Sequence, residues 1–291
     1  MFSASDVKSL REKTGAGMLD CKKALEACEG NIDKACDWLR EKGIAKAQKK
    51  GDRIAAEGLS QIFVDGNKAV ILEVNSETDF VAKNEEFKNF VNELGNILLN
   101  NEVETMEDAL NITVDSEDVN TKVVNITAKI GEKISFRRFT RVVKNDDEVF
   151  GDYLHMGGKI AVLTVVKGDN ESVARDVAMH AAAMRPLFVS SSDVPSETLD
   201  KEKEIMRQEL LNEGKPADKI DNILVGKVRK YYEDVCLLNQ IFVKAENKET
   251  VEKYLSNNNS TLVKMIRYEV GEGIEKRQDN FAEEVMSQIN G

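Results

Sequence analysis

The chain spells one apolar block twice. Residues 66–74 read GNKAVILEV, and residues 157–165 read GGKIAVLTV in the same pattern. Each block follows a short strand-like run, QIFVD or DYLHM, and precedes a polar segment and a helical pattern, near 85–99 and 170–185. The copies also close alike. EKISFRRFTRV (132–142) follows a helical stretch at about 116–130, and TLVKMIRYEV (261–270) follows one at about 248–257. This order predicts an internal duplication of a β-β-α-α-β unit, with halves at 54–145 and 146–265.

The second copy carries an insertion at about 187–236. It holds Pro195 and Pro216, and Pro186 lies just before it. Around Pro216 lie two charged helical segments. One carries Leu199, Ile205 and Leu210 with Ser196 as its cap; the other carries Ile220, Ile223, Leu224 and Val228. NEGKP turns between them. A hairpin of this kind has too little neighbouring sequence to bury both faces, so it is expected to pack against another chain.

Residues 1–53 read as three short helices and a basic linker. Ser5 is the expected cap of the first, which breaks at Gly15 and Gly17. The second runs from about Leu19 to Ala27. Asn31 caps the third, which carries Ile32, Ala35, Cys36 and Leu39 and is expected to end at Gly43. This is a bundle of the size of ubiquitin-associated domains, too thin in apolar content to be an enzyme core. The predicted fold class is therefore α+β: a three-helix ubiquitin-associated-like bundle, then a duplicated core with an inserted helical hairpin.

Charge narrows the function. The net charge is −11, although residues 1–53 balance to +3. An acidic chain is a poor match to a nucleic-acid backbone, so no direct nucleic-acid contact is expected. No run of about 18 apolar residues is present to span a membrane. The N-terminus lacks a signal-peptide core, and the expected location is cytoplasmic. Cys21, Cys28 and Cys36 fall at helical core spacing, and Cys236 stands apart; none forms a C-x-x-C pair. No phosphate-binding glycine motif occurs, and neither His155 nor His180 has a nucleophile at a recognisable spacing. We expect no catalytic residue, no metal and no cofactor.

One segment resists a bland reading. In VNSETDFVAKNEEF, Thr78-Asp79-Phe80-Val81 puts an acid and a large aromatic into what should be a solvated connection. Phe80 can serve as an exposed wedge for a partner, or fold inward as a staple on the next helix.

Several blocks together resemble the bacterial elongation factor Ts family over nearly the whole chain. They are LREKTGAGMLDCKKALEACEGNIDKACDWLR, EVNSETDFVAKNEEF, GEKISFRRF, MHAAAMRP and IRYEVGEGIEK. Ser76 departs from the family, which often has Cys there, as does Leu19, where many members have a second Met. The resemblance implies a guanine nucleotide exchange factor for elongation factor Tu, with a homodimer through the helical hairpin and a C-terminal module at 266–291. It implies that Thr78, Asp79, Phe80 and Val81 enter the partner near its magnesium site. It also assigns partner contacts to Arg11, Met18, Leu19, His155, Arg267 and Glu269.

Overall fold

The computed structural model describes residues 2–14 and 16–275. Of the expected features, the break at Gly15 and the C-terminal module beyond residue 275 lie outside the described residues. The chain divides into two compact units. One holds the residues up to Phe63, Leu72–Arg141 and the chain from Glu269; the other holds Val64–Ile71 and Val142–Tyr268.

The first unit begins with helices α1 (Ala4–Thr14), α2 (Met18–Ala27) and α3 (Ile32–Gln48). Leu10, Cys21, Ala24, Leu25 and Ala35 form their core, with Cys28, Cys36, Trp38 and Leu39 half-buried against it. Two expectations here are corrected. The cap of α1 is Ser3, not Ser5: the Ser3 hydroxyl accepts from the Asp6 amide and the Ser3 amide donates to the Asp6 carboxylate, a reciprocal box. And α3 runs through Gly43 instead of stopping there. A Cβ at Gly43 would lie 3.0 Å from that of Ala128, so this glycine serves close packing against another helix. Asn31 does cap α3, accepting from the Lys34 amide at 3.0 Å.

The first half of the core follows as β1 (Glu57–Asp65), β2 (Lys68–Ser76), α4 (Asp79–Lys83), α5 (Glu85–Asn100) and α6 (Met106–Asn111). Then come the two-residue strands β3 (Thr113–Val114) and β4 (Glu117–Asp118), α7 (Val119–Ile130) and β5 (Ser135–Val143). The sheet order is β1-β2-β5. The helix α5 buries Phe87, Phe90, Val91, Leu94, Ile97 and Leu98, the three-and-four spacing of a one-faced helix.

The second half repeats the plan. Its strands β6 (Glu148–His155) and β7 (Ile160–Lys167) pair antiparallel, with Phe150 opposite Val165 and His155 opposite Ile160. Next come α8 (Glu171–Met184), the inserted α9 (Ser196–Asn212) and α10 (Ala217–Val235), α11 (Val251–Asn257) and β8 (Thr261–Glu269). The sheet order β6-β7-β8 matches the first. The helix α8 crosses the hairpin at Gly151, where a Cβ would come within 2.2 Å of the Ala174 backbone. There the Thr164 hydroxyl donates to the Ala174 carbonyl at 2.9 Å. Ser196 does not cap α9 by hydrogen bonding; Pro195 holds that position with φ −57° and no side-chain bond. No helix among the described residues is long and apolar enough to cross a membrane.

One charge lies fully buried in the first unit. Glu73 of β2 accepts from the Arg137 guanidinium at 2.9 Å, Arg138 at 2.6 Å, Asn75 at 3.0 Å and the Gly271 amide at 2.8 Å. Burial alone would raise its pKa. The hydrogen bonds from Gly271, Asn75 and Arg137 and the charge of Arg138 outweigh that and hold the carboxyl below the usual value. Arg138 also donates to the Glu269 carbonyl at 3.2 Å, so this node fixes the backbone just after β8.

Candidate functional site

The segment at Thr78 is not a loose loop. It is a short helix, α4, whose first turn is capped by the Thr78 hydroxyl accepting from the Val81 amide. The helix is two-faced. Val81 and Ala82 are buried, whereas Phe80 is 79% exposed. The inward staple is therefore not what Phe80 forms. Asp79 pairs with Lys83 one turn on at 2.7 Å, and the same ammonium sits 5.9 Å from the Phe80 ring centroid. An exposed pair one turn apart is worth well under about 1 kcal/mol.

Two carboxylates fasten the start of α4 to the segment that follows α7. Glu132 accepts from the Thr78 amide at 2.9 Å and from the Thr78 hydroxyl at 2.7 Å. In return, Glu77 accepts from the Lys133 amide at 2.6 Å. The Lys133 ammonium continues to the carbonyls of Gly51 and Arg53, at 2.6 and 2.9 Å, and Arg53 pairs with Glu77 at 3.3 Å. The basic stretch after α3 is thus tied into the base of α4. No spacing rule points to Glu132, Glu77 or Lys133, since the bonds that join the start of α4 to the segment after α7 span more than 50 residues.

The other residues assigned by resemblance fall on separate elements. Arg11 is exposed on α1. Met18 and Leu19 open α2, 58% and 66% exposed. His155 ends β6, half-buried, its ring stacked 6.1 Å from that of Tyr153. Arg267 lies in β8, and Glu269 closes that strand with its carbonyl held by Arg138. Among the described residues, no group of three or more His, Cys, Asp or Glu is placed to hold a metal ion.

Fold and site together define a duplicated α+β protein with an N-terminal helical bundle, presenting a large aromatic on a braced helix. The sequence model of the family described as "Elongation factor TS" matches residues 77–272. The chain is 51% identical over 289 residues to an elongation factor Ts of Limosilactobacillus reuteri (strain DSM 20016), covering 99% of each chain. It is 52% identical over 289 residues to one of Limosilactobacillus fermentum, with the same coverage. The chain belongs to the elongation factor Ts family.

Proposed function

We propose that this chain binds elongation factor Tu and speeds release of its bound GDP during translation elongation. The observation that carries the reading is the exposure of Phe80 on a helix whose opposite face is buried and whose capping residue, Thr78, is clamped. A large apolar side chain held rigidly in water gains free energy on entering a partner. Burying about 100 Å² of ring is worth roughly 2–3 kcal/mol.

Exchange requires coupling and no catalytic side chain. If the factor and the nucleotide weaken each other's hold on the partner, they do so reciprocally. Phe80 forces open the partner's nucleotide domain. Asp79, released from its weak pair with Lys83, competes for the groups that serve magnesium and phosphate. Incoming GTP reverses the coupling and ejects the factor. Of the four residues expected to enter the partner, Asp79 and Phe80 do so in this reading, while Thr78, clamped by Glu132, and Val81, buried in the free chain, hold α4 in place instead. Arg11, Met18 and Leu19 of the bundle, His155, and the strand end at Arg267 and Glu269 supply further contact area.

In this reading residues 1–53 are a separate binding module, and 54–145 and 146–265 are the two core halves. The α9–α10 hairpin joins two copies of the chain. The mechanism calls for no cofactor, nucleic acid or membrane. Release of a fluorescent GDP analogue from elongation factor Tu, followed with and without the chain, tests it. Unaccelerated release at saturating chain concentration would overturn it.

A further inference from the structure

We propose that Glu132 is a positioning residue for Phe80, acting through Thr78; this rests on the wedge reading above. The geometry has three parts. The carboxylate uses both oxygens on one residue, taking the Thr78 amide and the Thr78 hydroxyl at 2.9 and 2.7 Å. Because that hydroxyl donates to Glu132, its lone pairs remain for the Val81 amide, so the clamp and the helix cap reinforce each other. Glu132 directly follows Gly131, the C-cap of α7 in the left-handed region at φ +89°, so it leaves from a defined helix end. The neighbouring Lys133 amide is bound to Glu77, directly before Thr78.

This arrangement answers a mechanical need. A five-residue helix has almost no stability of its own, because nucleation fixes several dihedrals for one hydrogen bond. Val81 and Ala82 anchor only one side of it. Without the clamp, α4 would fray from its first turn, and an exposed Phe on a frayed turn cannot deliver force to a partner. Bonds to a charged acceptor are the strong kind, and two on one residue fix direction as well as distance. Glu132 touches no part of the partner in this proposal; its effect is to keep Phe80 aimed.

The experiment compares Glu132→Ala, Glu132→Gln and Phe80→Ala in the full chain. In the free protein, the amides of α4 in Glu132→Ala should exchange with solvent about tenfold faster, the factor set by losing a bond to a charged group, with the melting temperature nearly unchanged. With elongation factor Tu, the maximal rate of GDP release should fall about as far, while the half-saturating concentration stays within about threefold, since a brace affects what is made only in the transition state. Glu132→Gln, which can accept from one of the two donors, should lie between and serves as the folded control if the alanine variant is unstable. Slowed release in Phe80→Ala beside normal release in both Glu132 variants would overturn the positioning role alone. Normal release in all three would overturn the wedge reading itself. A loss seen only in the half-saturating concentration would make Glu132 a contact residue and overturn the proposal.

Discussion

Gly43 of α3 and Ala128 of α7 meet so closely that a Cβ on the glycine would stand 3.0 Å from that of the alanine. The N-terminal bundle is thus docked on the first core half through a small-residue contact. Nearby, Arg40 of α3 pairs with Glu117 at 3.4 Å. Gly43→Leu should pry the helices apart and cost about 1–3 kcal/mol, the usual size of overpacking. Gly43→Ala should cost much less, because the neighbouring methyl needs to give only slightly. Thermal unfolding of the two variants checks the order. Equal melting temperatures for the wild type and Gly43→Leu would contradict it.

The buried carboxylate of Glu73 should govern acid stability in the first unit. Glu73→Gln leaves Arg137 and Arg138 without their anion and disturbs the Gly271 amide bond. A fully buried pair broken in this way costs about 3–5 kcal/mol; the arginines keep partial water contact, so roughly 2–3 kcal/mol is expected. The folded pKa is depressed below the ordinary 4.5. The contribution is therefore present above that value and lost as pH falls through the folded pKa. Urea midpoints at neutral pH and near pH 3 should differ less in the variant than in the wild type.

His180 offers a second pH test, in the other unit. The Val243 amide donates to Nδ1 at 3.1 Å, which assigns the ring proton to Nε2, 3.0 Å from the Gln240 Oε1. Burial holds the ring below its ordinary 6.5, only partly opposed by the Gln240 bond. Unfolded histidine then takes a proton before the folded ring does, so stability falls as pH drops below about 6.5. The limit is about 1.4 kcal/mol per pH unit. His180→Gln should be less stable than the wild type at pH 7.5, with the gap narrowing by pH 5.5. A gap that widens would contradict the neutral assignment.

Much of this was legible because the signals are local and periodic. The strand pairs and α5 follow from spacing within about 15 residues, and the order of both halves follows from one block spelled twice. Legibility failed where a contact outweighed a local preference. Gly43 looked like a stop, yet helix packing needs its missing side chain. Ser5 looked like a cap, but Ser3 alone has the acid three residues on. The site was half legible: the oddity of Phe80 stood out, whereas its exposure depends on how Val81 packs. Glu132 was invisible because its partner is 54 residues away in the chain.

The α9–α10 hairpin should be separable from exchange. Its helices pair through Arg207–Asp221 at 2.7 Å and Lys227–Glu209 at 3.0 Å, while Val225 is 72% exposed. Replacing residues 196–234 with a short Gly-Ser turn should leave a folded chain with some GDP-release activity. Light scattering should then show less self-association. Identical assembly before and after would count against the hairpin as the dimer contact.

On the proposed function, Phe80 is a tool and not a part of the core. Phe80→Ala is the direct measurement, with melting temperature and GDP release read on the same preparation. Removing a core Phe costs about 3–5 kcal/mol, and each kcal/mol moves Tm by about 2–4 °C in chains approaching this size. A side chain already 79% exposed has little of that to lose. Asp79→Ala should slow release too, and the double variant should fall short of additive because both act at one site. Phe80→Ala should slow release sharply with Tm unchanged to within a few degrees. Early melting, with release tracking only the folded fraction, would contradict it.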